Sequence, residues 1–241
     1  MRIVAAPDKF KGTASAREVV AAIVTAAESC GHSVDEVPMA DGGEGTLAAL
    51  GGPNRTSLVT GPLGSPVEAQ WRYDRGLAVI EMAQSSGLVL AGGTNGNDPL
   101  AATTAGVGEL IGEAVDAGAK RLIIGVGGSA TTDGGLGAIQ ALGSAARVKG
   151  VDITVACDVR TTFVDAATVF GPQKGATPAQ VSMLTGRLTT LVDTFKSEYG
   201  IDISTLPRGG AAGGLAGGLA AIGASLVDGF DVVAELSLIH I

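Results

Sequence analysis

Arg121-Leu122-Ile123-Ile124-Gly125-Val126-Gly127-Gly128-Ser129-Ala130-Thr131-Thr132-Asp133-Gly134-Gly135-Leu136 carries an apolar run into a glycine- and hydroxyl-rich loop that ends on a carboxylate. The leucine and β-branched residues at 122–124 predict a buried strand, and Leu136 to Leu142 predicts a short helix. Strand, glycine loop and helix in that order form the repeating unit of an α/β sheet. Peptide N–H groups in the loop and at the helix start then face an anion. That makes Gly127, Gly128, Ser129, Ala130 and Thr131 a candidate phosphate cradle. Asp133 is negative and suits Mg²⁺ better than phosphate. A tight strand-to-helix turn, in which the small residues serve only packing, fits the same letters.

The rhythm repeats on both sides of this stretch. Ile3 to Ala6 predicts a strand, Pro7 to Thr13 a loop, and Ser15-x-x-Glu18 the capping box of a helix that Gly31 ends. Val34 to Val37 predicts a second strand, running into Met39-Ala40-Asp41-Gly42-Gly43-Glu44-Gly45-Thr46 and a short helix through Leu50. Short strands at Leu58-Val59, Ala69 to Tyr73 and Ala78 to Glu81, with turns at Gly61-Pro62 and Arg75-Gly76, form a β section. Helical periodicity returns from Thr103 to Ala117, and Ile153 to Ala156 predicts another buried strand. Thr177-Pro178 opens a long helix that Gly200 closes. Ala211 to Leu219 is glycine-rich but keeps Leu215, Leu219 and Ile222 at helical spacing, which predicts a closely packed helix, not a flexible linker. The result is an α/β fold with a mostly parallel sheet.

Composition narrows the function. A length of 241 residues with 46% hydrophobic content supports a substantial core. A net charge of −8 argues against a general nucleic-acid binder, which needs clustered Lys and Arg. Cys30 and Cys157 form no C-x-x-C pair, and His32 and His240 are the only histidines, so a zinc site or disulfide framework is not expected. The apolar start breaks at Pro7, too early for a secretory segment. No stretch has the length of a membrane span, and a cytoplasmic protein is expected.

In a parallel α/β sheet the loops at the carboxyl ends of the strands gather into one cleft. Asp8, Lys9 and Lys11 follow the first predicted strand. Asp41 and Glu44 follow the second, with Gly42 and Gly43 between them. Glu81, Gln84, Ser85 and Ser86 follow the β section, and Asp158 follows Ile153 to Cys157, where a strand-end carboxylate is a natural general base. Lys174 stands in the glycine-bounded loop before the long helix. Blander roles exist for several of these residues: a helix cap for Asp41, an Asx-turn for Asp8, a solvated charge for Lys174. No G-x-x-x-x-G-K-[ST] motif occurs. Gly125-x-Gly127-x-x-Ala130 fits the relaxed dinucleotide fingerprint, but no acidic residue follows at the distance that fingerprint needs.

Together these loops resemble the bacterial glycerate kinase family, whose members phosphorylate glycerate with ATP. Ala6-Pro7-Asp8-Lys9-Phe10-Lys11-Gly12-Thr13 is similar to the family's opening, and Met39 to Thr46 to its M-A-D-G-G-E-G-T. Gly61 to Gly64, Ile80 to Ala83 with Ser86-Gly87-Leu88, Gly127 to Gly135, Ala156 to Val159 and Val169 to Ala176 follow in order. The resemblance implies two α/β domains. One is flavodoxin-like and built from both chain ends, here 1–85 rejoined by 228–241. The other, 86–227, is inserted. It also implies ATP and Mg²⁺, with glycerate as the acceptor. The site set is then Asp158, Asp41, Lys11 and Asp8 for catalysis, and Gly127 to Thr131 with Lys174 for the nucleotide. Gly42, Gly43, Glu44, Ser85 and Ser86 serve the substrate, and Asp133 the metal.

Three departures from the family are visible. The segments between Gly143 and Asp152 and from Thr161 to Ala167 are short, and the resemblance stops near Glu235-Leu236. The C-terminal loops that complete the flavodoxin-like domain are absent, which predicts exposed sheet edges and self-association. Two other functional classes use the same loop: a phosphate- or nucleotide-binding module without turnover, and a dinucleotide oxidoreductase.

Overall fold

The computed structural model describes residues 1–10 and 13–238. β1 (Arg2–Ala5) and β2 (Ser33–Glu36) pair in parallel as a two-stranded sheet, with α1 (Ala16–Ser29) between them in sequence. The predicted capping box is present. The Ser15 hydroxyl accepts the Glu18 N–H at 3.3 Å, and the Glu18 carboxylate accepts the Ser15 N–H at 2.7 Å. After α2 (Thr46–Ala49) come β3 (Arg55–Thr60), β4 (Pro66–Asp74) and β5 (Leu77–Glu81), with β4 antiparallel to both β3 and β5. Arg75 and Gly76 turn between β4 and β5 with φ of 47° and 85°, the geometry that matches hairpin twist.

Helices separate the remaining strands. The elements that follow are α3 (Ala83–Ser86), α4 (Gly93–Gly96), α5 (Ala105–Asp116), β6 (Arg121–Gly125), α6 (Leu136–Leu142), β7 (Asp152–Cys157), α7 (Ala166–Phe170), α8 (Pro178–Tyr199), α9 (Leu215–Ala221), β8 (Ser225–Asp228) and α10 (Gly229–Leu238). β3 to β8 form one six-stranded sheet in sequence order, parallel from β5 onward. Its central strands are buried on both faces, which is why Leu122, Ile123 and Ile124 read as an unbroken apolar run. Ile80, Ile124 and Val155 pack with Leu110 and Ile111 of α5 and Leu215 and Leu219 of α9. On the other face Val79, Ile123 and Ala156 pack with Leu47 of α2 and Val232 of α10.

A domain division at residue 85 falls between β5 and β6, which are hydrogen-bonded neighbours from Leu77↔Arg121 to Glu81↔Gly125. The sheet therefore crosses that expected boundary without a break. α10 returns to the N-terminal unit, where Val233 packs with Val37, Met39 and Ala40. Among the described residues no helix is long and apolar enough to cross a membrane.

The glycine-rich segment is packed helix, as its leucine spacing predicts, although a 3₁₀ turn over Ala211–Gly214 precedes α9. A Cβ on Gly217 would lie 2.4 Å from the Phe163 ring, and one on Gly213 would lie 2.0 Å from the Thr131 carbonyl oxygen. These positions are glycine because other groups occupy the side-chain space. Phe163 is fully buried and meets Phe195 of α8 edge-on, with ring centroids 6.3 Å apart. Phe163→Ala opens a cavity that the surrounding backbone cannot fill, so it is expected to cost about 3–5 kcal/mol. A shift of the urea midpoint at constant m checks this.

Candidate active site

A cleft of about 980 Å³ lies where the segments following β1, β2, β6 and β7 meet, the place where ligands bind in α/β sheets. Its N-terminal wall carries Asp8, Lys9, Asp41, Gly43 and Glu44. The Lys9 ammonium lies 3.0 Å from Asp41 Oδ1 and 3.7 Å from Asp8 Oδ1. Burial pulls the Lys9 pKa down, but the hydrogen bond and charge of Asp41, with the charges of Asp8 and Glu44, raise it overall. Asp41 is also half-buried. Burial favours its neutral form, yet the Lys9 ammonium and the Gly43 N–H (2.9 Å) hold its carboxyl below the usual range. The wall thus presents an ion pair locked in its charged form.

Glu81, at the end of β5, holds this wall from behind. Its Oε1 accepts the Gly45 and Leu47 N–H groups at 3.0 and 2.6 Å, and burial raises its pKa. Gly42 has no room for a side chain: a Cβ would lie 2.7 Å from the Ala156 carbonyl. Its own carbonyl accepts the Val126 N–H at 2.9 Å, which stitches the wall to the sheet. Gly42 is a spacer beneath the cleft and does not line it.

The opposite wall carries Gly127, Gly128 and Ser129. Among the described residues these three peptide N–H groups have no hydrogen-bond partner, the condition for an anion cradle. Ala130 and Thr131, predicted to extend the cradle, are fully buried. The Ala130 N–H donates to the Ser86 carbonyl, and the Thr131 carbonyl accepts from the Lys174 amine. Ser85 and Ser86 are fully buried too and do not line the cleft. Asp158 projects from the end of β7 into the cleft, exposed, and its carboxylate accepts no hydrogen bond from the described residues. Lys11 lies outside the described residues.

Asp133 departs most from expectation. Its Oδ2 accepts the Thr104 N–H and hydroxyl, both at 2.8 Å, and the Gly137 N–H at 3.3 Å, while its Oδ1 accepts the Gly135 N–H at 3.1 Å. It joins the starts of α5 and α6, away from the cleft lining. Its oxygens are committed to protein donors, so it is not placed as a metal ligand, and the start of α6 is satisfied internally. Arg208 belongs to no motif in the sequence, where its one signal is a lone cation before Gly209-Gly210. Its guanidinium donates to the Cys157 carbonyl (2.6 Å) and to Asp228 (3.0 Å), fixing the ends of β7 and β8 beside Asp158. Burial pushes the Cys157 thiol up to about 11, which leaves it unreactive.

Lys174 touches the cleft, but only 2% of it is exposed. Its amine donates to the Thr131 carbonyl at 2.6 Å. Burial lowers its pKa to about 7, even though the charge of Asp133 acts to raise it. The unfolded lysine, near 10.5, still binds a proton between about pH 7 and 10, where the folded one does not. Stability therefore rises with pH across that window, and below it the burial penalty is fully present. Lys174→Met is expected to flatten this rise, measured by urea unfolding of both proteins from about pH 6 to about pH 10.

A model described as the glycerate kinase family matches residues 3–147 and 144–240. This chain belongs to the glycerate kinase family. It is 40% identical to glycerate 2-kinase of Escherichia coli over 97% of this chain and 71% of that protein. It is 41% identical to glycerate kinase of Bacillus subtilis, over 98% and 72%. A crystal structure from Salmonella typhimurium LT2, assigned as glycerate kinase 2, superposes with a TM-score of 0.88 at 37% identity, covering 99% of this chain and 74% of that one. The family match extends to residue 240, past Glu235 where the motif resemblance stops. Alignment with the E. coli enzyme spans 273 positions, more than the 241 residues of this chain, so the relative carries segments that this chain lacks. The two matched pieces of the family model meet at 144–147, inside the segment that the sequence marks as short.

Proposed function

We propose that this protein is a glycerate kinase that transfers the γ-phosphoryl group of ATP to a hydroxyl of glycerate. The observation that carries this reading is the row of N–H groups at Gly127, Gly128 and Ser129, without hydrogen-bond partners among the described residues, in a segment that lines the same cleft as Asp158 and the Lys9–Asp41 pair. Phosphate oxygens accept from the three N–H groups. Lys9 supplies positive charge for the glycerate carboxylate or the transferring group. As the glycerate oxygen bonds to phosphorus, Asp158 takes its proton and ADP leaves with the electron pair of the broken bond. Catalysis is chiefly positioning and charge stabilisation.

The cleft also suits Mg²⁺. Asp8 and Glu44 offer hard carboxylate oxygens, and this ion commonly needs only one or two protein carboxylates beside substrate phosphates. Asp8 and Glu44 would hold it. When bound, the ion neutralises charge on the phosphate oxygens. We further infer that the two structural units are 1–50 with 229–238, and 55–228, and that the enzyme works in the cytoplasm. Phosphorus NMR of the full chain with Mg²⁺, ATP and D-glycerate tests the function. A glycerate-dependent phosphomonoester resonance is expected, and its absence from folded protein overturns the reading.

A further inference from the structure

We infer that Asn97 is a positioning residue that ties the phosphate-facing loop to the Lys174 turn and so fixes one wall of the nucleotide site. Asn97 directly follows α4 with extended backbone, φ −74° and ψ 145°. Its Nδ2 donates to the Ala130 carbonyl at 3.0 Å and to the Lys174 carbonyl at 2.9 Å. One short side chain thus holds two segments far apart in sequence, both of which reach the cleft, through Gly127 to Ser129 and through Gln173 and Lys174.

The whole 86–97 segment braces the same junction. The Ala130 N–H donates to the Ser86 carbonyl at 3.0 Å, and the Leu88 N–H to the Gly128 carbonyl at 2.8 Å. On the far side, the Thr94 hydroxyl donates to the Gln173 carbonyl at 2.9 Å. The Lys174 amine adds a direct link to the Thr131 carbonyl. An amide suits position 97 because both contacts are carbonyl oxygens and need donors. A carboxylate there would set negative charge against both. Asn97 touches neither Asp158 nor Lys9, so its loss should loosen the nucleotide wall and leave the proton acceptor in place.

The kinetic consequence rests on the proposed kinase reading, whereas the tie itself does not, and the experiment separates them. Amide hydrogen exchange on the full chain compares the native protein with Asn97→Ala and Asn97→Asp. The amides of Ala130 and of Lys174 to Ala176 are expected to exchange about tenfold faster together, with β6 and β7 unchanged. Initial rates should show the KM for ATP raised about tenfold, with kcat and the KM for glycerate within about twofold. Asn97→Ser, which keeps one donor, should fall between. Faster exchange in only one segment, or in neither, overturns the tie. Faster exchange in both, with the ATP KM unchanged or kcat falling in step with thermal stability, reduces Asn97 to a structural residue and overturns the positioning role. If the native chain shows no glycerate-dependent turnover, the kinase reading falls and the exchange result alone decides the tie.

Discussion

Asp158→Asn is expected to lower kcat about a thousandfold, the loss typical when a positioned general base is removed, while the KM for ATP changes little. The argument is geometric. Val155, Ala156 and Cys157 bury the end of β7, and Arg208 grips the Cys157 carbonyl at 2.6 Å, so the next residue stands on a fixed support. Its carboxylate is exposed to the cleft and free of hydrogen bonds from the described residues, so its lone pairs remain available for a substrate proton. Asp41 is a poorer base because Lys9 and Gly43 already occupy its Oδ1 and hold it ionised. Asparagine keeps the shape and the hydrogen-bonding reach but cannot accept the proton. Steady-state rates of ADP release with and without glycerate would show the effect. A variant with native kcat would remove Asp158 from proton transfer.

The sequence revealed elements whose signals are local and missed contacts that are not. The strand at Arg121–Gly125 and the helices at Leu136–Leu142 and Pro178–Tyr199 fall where apolar runs, Thr177-Pro178 and Gly200 place them. β8 (Ser225–Asp228) does not stand out in the sequence because it offers only Leu226 and Val227, close behind the apolar run of α9 that ends in Ala221-Ile222. The site divides in the same way. Gly127 to Ser129, Asp8, Asp41, Gly43, Glu44 and Asp158 reach one cleft because each follows the carboxyl end of a parallel strand, β1 and β2 in the small sheet and β6 and β7 in the large one, and the two sets of ends face each other. Asp133 looked equally available, since a carboxylate after a glycine loop shows nothing of its partners. Thr104, which fills one of its oxygens, is 29 residues away in sequence. Ser85 and Ser86 likewise resemble substrate ligands in the sequence, but α3 turns them into the interior. Burial set by tertiary packing overrode a polar signature.

Gly127→Ala should reduce turnover at least about a hundredfold, the scale of an ångström misplacement between reacting groups, with the fold retained. A Cβ at Gly127 would lie 2.5 Å from the Gly43 Cα and 3.3 Å from the Glu44 nitrogen. Both are backbone atoms, so no rotamer change relieves the contact. The opposing loop cannot simply withdraw, because Glu81 holds the Gly45 and Leu47 N–H groups and the Gly42 carbonyl holds Val126. The two walls must therefore part, drawing the N–H cradle away from Lys9, Asp41 and Glu44. Gly128→Ala is the control that isolates this effect. Its Cβ would meet Ala83 at an ordinary 3.5 Å, and only its φ of +69° is unfavourable for alanine, a strain of about 1–3 kcal/mol. Stability should fall in that variant while the wall spacing survives, so activity at a temperature where both proteins are folded should fall much less than in Gly127→Ala. Equal losses would mean that the conformation of the loop, not the close approach of the two walls, governs transfer.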